Sequence, residues 1–242
     1  MFAFRLFFQH PQLLDARQTG PRMTKPRTRI QEKNSSAILE AALDVFSVHG
    51  YRGATLDQIA EMAGLSKPNL LYYFPSKEAV HTALLNRLLH TWLDPLRALD
   101  PEGEPLTEIM GYVRAKLDLS RDYPRESRLF ANEILQGAPR IMEAIEGDLK
   151  RLVDEKAAVL SGWMDQGRIA RLDPYHLIFS IWALTQHYAD FDVQVRAVLG
   201  TGHDPFAEAG AFLDTLFSRL LIMNKVLSPY LKRISSPRNK RW

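Results

Sequence analysis

The stretch from Thr55 to Lys77, TLDQIAEMAGLSKPNLLYYFPSK, leaves the chain few ways to fold. Thr55 can cap a helix, and Gln58 stands three residues on, where a capping-box partner belongs. Leu56, Ile59, Ala60 and Ala63 repeat at helical spacing and make one apolar stripe. Gly64 can take the positive φ that ends a helix, and Ser66 can cap the next one. Pro68 is tolerated because it falls in the first turn of that second helix. Leu70 and Phe74 lie four apart and share one face, which turns Pro68, Asn69, Leu71 and Tyr72 elsewhere. Two short helices around a glycine turn are the layout of a helix-turn-helix that reads a DNA major groove. They are also the layout of a helical hairpin packed only for stability, and spacing by itself leaves both open.

The flanks extend the helical pattern. Ile38, Ala41, Ala42, Val45 and Phe46 form a buried stripe from Ser35 onward, and Gly50 ends that helix. Pro75 and Ser76 stop the second short helix and start another at Lys77. It runs through Val80, Leu84, Leu85, Leu88, Leu89 and Trp92 toward Pro95. This long amphipathic helix leads out of the small module like a lever.

Charge is unevenly spread. Residues 1–92 carry 11 Lys+Arg against 7 Asp+Glu, residues 93–231 carry 15 against 21, and residues 232–242 carry 5 against 0. A basic first part on an acidic middle suggests that only the first part meets a polyanion. With no cysteine, disulfides, thiol catalysis and cysteine-ligated metals are excluded. No apolar run is long enough to span a bilayer, and MFAFRLFF lacks the features of a signal peptide, so no membrane partner and a cytoplasmic location are expected.

The rest reads as helices separated by proline and glycine: Leu106 to Asp122, Glu126 to Leu135, Ile141 to about Gln166, a helix starting at Asp173-Pro174, and a last one starting at Asp204-Pro205. No strand pattern occurs, so the fold class is all-α. Residues 1–31 are expected to be a disordered or over-extended basic segment, with Met23 as a candidate start. Residues 32–92 form the helix-turn-helix domain, 93–226 a larger helical domain, and 227–242 a disordered basic tail.

A helix with A-x-x-x-F, then T-L-x-x-I-A-x-x-A-G-L-S, then L-Y-Y-F-P-S-K-E, resembles the DNA-binding domain of the TetR family of bacterial regulators, over about Ser35 to Trp92. The resemblance implies a repressor of double-stranded operator DNA, dimeric through its last two helices. It implies that Pro68, Asn69, Leu71 and Tyr72 face bases and that Thr55, Lys67, Tyr73 and Lys77 anchor phosphates. Thr55 and Lys77 stand at helix starts, where amide donors favour phosphate. Many members carry tyrosine where Leu71 stands. Leucine reads only apolar base edges such as a thymine methyl.

The segment SIWALTQHYADFD, from Ser180, mixes Trp182, Gln186, His187 and Asp190 into an apolar helix. Aromatic core with a polar rim is the plain explanation for each residue singly. As a group they suit a flat polar heterocycle, which needs aromatic faces and paired donors and acceptors. With LLYYFPSKEA, YPRESRLFANEIL and DEKAAVLSGWM, this segment is similar to a pyrimidine-responsive branch of the family. The resemblance implies a small effector of the uracil type that releases the DNA. The expected pocket set is Trp92, Phe130, Glu133, Trp163, Trp182, Gln186, His187 and Asp190. No cofactor is expected, and His187 with Asp190 makes too few ligands for a metal site.

An enzyme is the rival class. The G-x-S-x-G elbow, the P-loop and H-E-x-x-H are absent, and GTGHDP at Gly200 follows no strand pattern. An effector-independent architectural DNA binder is the other rival. The acidic, aromatic-rich middle favours a sensor over it.

Overall fold

The computed structural model describes residues 29–222, which form helices and turns with no strand among them. The expectations for a start at Met23 and for the basic tail lie outside the described residues. The chain divides after Arg87 into two compact units. That border lies ahead of the one expected at Trp92, and inside an unbroken helix, so no linker composition marks it.

The first unit contains α1 (Arg29–Gly53), α2 (Leu56–Met62), α3 (Lys67–Tyr73) and the start of α4 (Lys77–Arg97). Ile38, Ala42 and Phe46 of α1 are buried with Ile59 and Ala60 of α2, Leu70 of α3, and Val80 of α4. The Phe46 ring meets the His81 ring edge-on at 4.6 Å. Gly50, at φ 63°, kinks the end of α1 in a conformation that a β-carbon would disfavour. The helix begins at Arg29 and not at Ser35, so residues 29–31 of the expected disordered segment are helical. Neither glycine nor proline interrupts the chain from there to Gly50, and Pro26 lies just upstream.

The second unit begins in α4 and continues through α5 (Pro105–Asp122), α6 (Pro124–Leu135), α7 (Met142–Ala144), a π-helical turn (Ile145–Leu149), α8 (Lys150–Asp165), α9 (Pro174–Asp190), α10 (Asp192–Leu199) and α11 (Pro205–Leu221). Glu104, Asp173 and Asp204 cap α5, α9 and α11, each with a proline in the first turn. α5 lies against both α9 and α11, and α9 also packs on α6 and α8. Their shared core includes Leu93, Leu96, Ile109, Val113, Leu160, Trp163, Ile181, Leu213 and Phe217. Two details depart from the sequence reading. The long helix expected from Ile141 runs without interruption from Met142 to Asp165 but contains a π-turn around Gly147, a poor helix former. α10 was not expected: Val195, Val198 and Leu199 recur at helical spacing, but the run is short and none of its residues is buried. No helix among the described residues is long and apolar enough to cross a membrane.

Candidate DNA interface and effector site

In the first unit the presentation of α3 is set by its caps. The Thr55 hydroxyl accepts from the Gln58 amide at 3.2 Å, while the Gln58 side chain accepts from the Thr55 amide at 2.9 Å. Gly64 turns the chain at φ 67°, and Ser66 caps α3 by accepting from the Asn69 amide. Leu70 and Phe74 anchor α3 inward, which leaves Pro68, Asn69, Leu71 and Tyr72 exposed on its other faces. Tyr72 is 70% exposed, a large aromatic surface held in water by a short helix. Its hydroxyl accepts from Gln31 Nε2 at 3.0 Å, and the Tyr73 hydroxyl accepts from Asn34 Nδ2 at 2.9 Å. Both donors lie in the first turns of α1, so those turns steady α3.

The expected phosphate anchors separate. Thr55 and Lys67 are exposed. Lys67 pairs with Asp57 at 2.9 Å, an exposed pair that a phosphate can open at little cost. Lys77 is a correction: its ammonium donates to the carbonyls of Tyr51 and Ala54, both at 2.8 Å, and sits 4.7 Å from the Tyr51 ring centroid. It ties the end of α1 to the start of α4 and is not a free phosphate ligand.

In the second unit, four helices bring together a partly buried polar cluster. α9 places Trp182, Gln186 and Asp190 four residues apart on one side. α5 contributes Tyr112 and Lys116, α4 contributes Trp92, and α6 contributes Ser127. Trp182 Nε1 donates to the Tyr112 hydroxyl at 2.5 Å, and Ser127 Oγ donates to Asp190 Oδ1 at 2.6 Å. Arg128 donates to the Ala189 carbonyl beside them at 3.0 Å. Lys116 is 1% exposed, with its ammonium 5.4 Å from the Trp92 ring centroid. Trp92 Nε1 is buried without an acceptor. Burial pushes the Lys116 ammonium down to about 7, a fall that the Asp190 carboxylate partly offsets. Burial raises Asp190 against the opposing pull of Ser127, Arg128, Lys116 and His187. Burial also raises Tyr112. A cavity of about 600 Å³ opens at the α9–α10 corner, bounded by Arg128, Asp190, Phe191 and Val193 among others. A second, of about 300 Å³ beside Arg97, Arg151 and Lys156, touches none of the expected pocket residues.

Four of the eight expected pocket residues therefore share this cluster: Trp92, Trp182, Gln186 and Asp190. Phe130 packs against the core. Three others are corrected by their surroundings. The Glu133 carboxylate is buried against Arg140, taking a side-chain bond at 2.9 Å and the Arg140 amide at 2.9 Å. Trp163 is buried and donates to the Pro101 carbonyl at 3.0 Å. His187 is exposed and stacks on Phe191. Sequence reasoning missed Tyr112 as a polar group, Lys116 and Ser127. A signal for Lys116 was present: it follows Tyr112 by four residues and Val113 by three, inside the apolar stripe of α5. No group of three metal-ligating side chains occurs among the described residues.

An exposed short helix on a capped three-helix unit, followed by a helical unit with a buried polar cluster, defines a helix-turn-helix DNA-binding regulator. Residues 38–84 match the family of tetR bacterial regulatory proteins, and residues 85–223 match the C-terminal region of YcdC-like proteins. The chain belongs to the TetR family. It is 54% identical to the HTH-type transcriptional regulator RutR of Escherichia coli over 183 residues, 76% of this chain and 86% of that one. It is 25% identical to the regulator EthR of Mycolicibacterium smegmatis over 151 residues, 61% of this chain and 67% of that one. A transcriptional regulator from Streptomyces coelicolor superposes with a TM-score of 0.61 at 26% identity, covering 78% of this chain and 98% of that one. The protein is a RutR-like DNA-binding transcriptional regulator, and regulators of this family bind operator DNA as dimers.

Proposed function

We propose that this regulator represses genes of pyrimidine or nitrogen metabolism and leaves its palindromic operator when a uracil-type effector enters the second unit. The observation that carries the reading is the cluster of partly buried Trp182, Gln186 and Asp190 with buried Lys116, which combines an aromatic face with donors and acceptors beside an apolar core. Burial of unsatisfied polar groups destabilises a fold, so a ligand that completes their hydrogen bonds gains strongly from entering. No cofactor is needed for this; the effector is the only small molecule invoked.

The dimer forms through α9 and α11. Phe179, at 45% exposure, and Phe212, at 54%, present large apolar side chains from these helices, suited to a second copy. Two copies place two α3 helices on half-sites about one DNA turn apart, which is why the operator is palindromic. Pro68, Asn69, Leu71 and Tyr72 read bases, while Thr55, Lys67 and Tyr73 hold the backbone. Release follows from differential binding: the effector favours a dimer whose α3 helices no longer fit successive major grooves.

The test is thermal stabilisation of the full chain by a panel of nucleobases and their breakdown products. Uracil at a hundred times its Kd should stabilise the protein by about 2.7 kcal/mol. Asp190→Ala and Trp182→Ala should erase this stabilisation, and the ratio of operator affinities without and with uracil should fall to about one. Equal stabilisation of both variants by uracil would remove the cluster from the proposal.

A further inference from the structure

The two tyrosines that end α3 are tied to α1 through their hydroxyls. Gln31 Nε2 donates to the Tyr72 hydroxyl at 3.0 Å, and Asn34 Nδ2 donates to the Tyr73 hydroxyl at 2.9 Å. Gln31 and Asn34 lie three apart and so share one face of α1. The two tyrosine rings also meet edge-on, with centroids 5.1 Å apart at 89°. Tyr72 is exposed, yet its ring is braced by Tyr73 and its hydroxyl by Gln31. An unbraced aromatic side chain in water samples several rotamers and loses that freedom only on docking. The direction of the two bonds carries more information than their number. A phenol has one proton to donate and lone pairs that accept. Because an amide N–H fills an acceptor position, each phenol keeps its proton for another partner. Neither hydroxyl donates to another group among the described residues.

Resting on the reading that Tyr72 faces bases and Tyr73 the phosphates, we propose that Gln31 and Asn34 are positioning residues that set both phenols as hydrogen-bond donors toward DNA. Tyr72 then selects an acceptor in the major groove: a purine N7, guanine O6 or thymine O4. A cytosine amine in the same place meets the phenol proton with another donor and is rejected. Tyr73 gives its proton to a phosphate oxygen, which only accepts, and so fixes register without reading sequence. The first turns of α1 thereby belong to the reading surface through the tyrosines and need touch no base themselves. Reversing either bond undoes this, because a group that accepts from the phenol takes the proton that the DNA needs. A brace that serves only the fold behaves differently: its loss weakens all DNA binding and thermal stability together.

Double-mutant cycles on DNA affinity test the assignment. The full chain first selects its operator from a random duplex library. Affinities are then measured by fluorescence anisotropy on that operator and on a scrambled duplex, with melting curves to show that each variant is folded. Tyr72→Phe should lose about fivefold to a hundredfold on the operator, counted over two half-sites, and little on the scrambled duplex. Gln31→Met should lose about threefold to tenfold on the operator alone, and nothing further in the Tyr72→Phe background. Gln31→Glu, whose carboxylate can only accept, should lower the ratio of operator to scrambled affinity more than Gln31→Met does. Asn34→Leu should weaken both duplexes alike, and only while the Tyr73 hydroxyl is present. Additive losses from Gln31→Met and Tyr72→Phe, or a ratio for Gln31→Glu at or above that of Gln31→Met, overturn the positioning assignment. If Tyr72→Phe binds like the wild type while Tyr72→Ala loses the operator, Tyr72 faces bases through its ring and the donor assignment alone falls. If Tyr72→Ala also keeps the operator, the base-facing reading falls with it.

Discussion

Replacing Lys116 by methionine is expected to raise the melting temperature by about 5–10 °C at pH 7. Burial holds the Lys116 ammonium at about 7 in the folded chain, whereas an unfolded lysine titrates at 10.5. Between those values the unfolded state binds more protons, so folding forces a proton off and is opposed. The penalty is full at and below pH 7 and fades as pH rises toward the ordinary lysine value. Methionine has similar reach and no charge, and so removes the penalty. After a discount for relaxation and water entry, the gain at pH 7 is about 2–4 kcal/mol, on a chain where each kcal/mol moves the transition by about 2–4 °C. Melting curves of both proteins from pH 6 to 10 check it. The difference should shrink steadily above pH 7. A variant that melts lower than the wild type at pH 7 would show that the ammonium has a partner after all. The same substitution is expected to weaken uracil binding, so stability and recognition move in opposite directions, as they do where a binding group is held in an unfavourable place.

Tyr72→Ala is expected to weaken binding to the specific operator by roughly 30-fold to 10⁴-fold. The side chain is 70% exposed in the free protein and is tied to α1 by one exposed hydrogen bond from Gln31, while Leu70 and the Tyr73–Asn34 bond still hold α3, so its removal leaves the first unit folded. A good base-edge contact is worth about 1–3 kcal/mol, and a dimer loses it in both half-sites, about 2–6 kcal/mol in all. Binding to random DNA should change far less, and the salt dependence should keep its slope, because no phosphate contact is removed. Fluorescence anisotropy on the operator and on a scrambled duplex, each at several salt concentrations, separates these effects. An equal loss on both duplexes would move Tyr72 from the base-reading set to the backbone-holding set. Leu71, at 38% exposure, borders it and limits its own readout to apolar base edges.

The features of the DNA-binding unit that the chain reveals are local ones. The Thr55–Gln58 box, the Gly64 turn, the Ser66 cap and the inward pair Leu70 and Phe74 each depend on residues a few positions apart. The same is true of the proline-started helices at Asp173 and Asp204. What stayed hidden depends on partners distant in sequence. Lys77 reads as a basic helix start, and only the fold brings the carbonyls of Tyr51 and Ala54 to it. Trp163 and Glu133 have pocket-like side chains, yet Pro101 and Arg140 already satisfy them. Lys116 is the reverse case: its place in the apolar stripe of α5 hints at burial, but a helical lysine is commonly solvated, and the packing of α5 against α9 shows that it is enclosed. α10 offers only the brief spacing of Val195, Val198 and Leu199, and it buries nothing.

The central claim is that ligand and operator compete through one dimer. The direct measurement is operator affinity of the wild-type protein across a uracil titration, on a duplex from the promoter beside its own gene. The expected result is a fall in affinity that saturates, with a midpoint set by the uracil Kd, and no fall when cytosine replaces uracil. An operator affinity that stays constant through saturating uracil would contradict it.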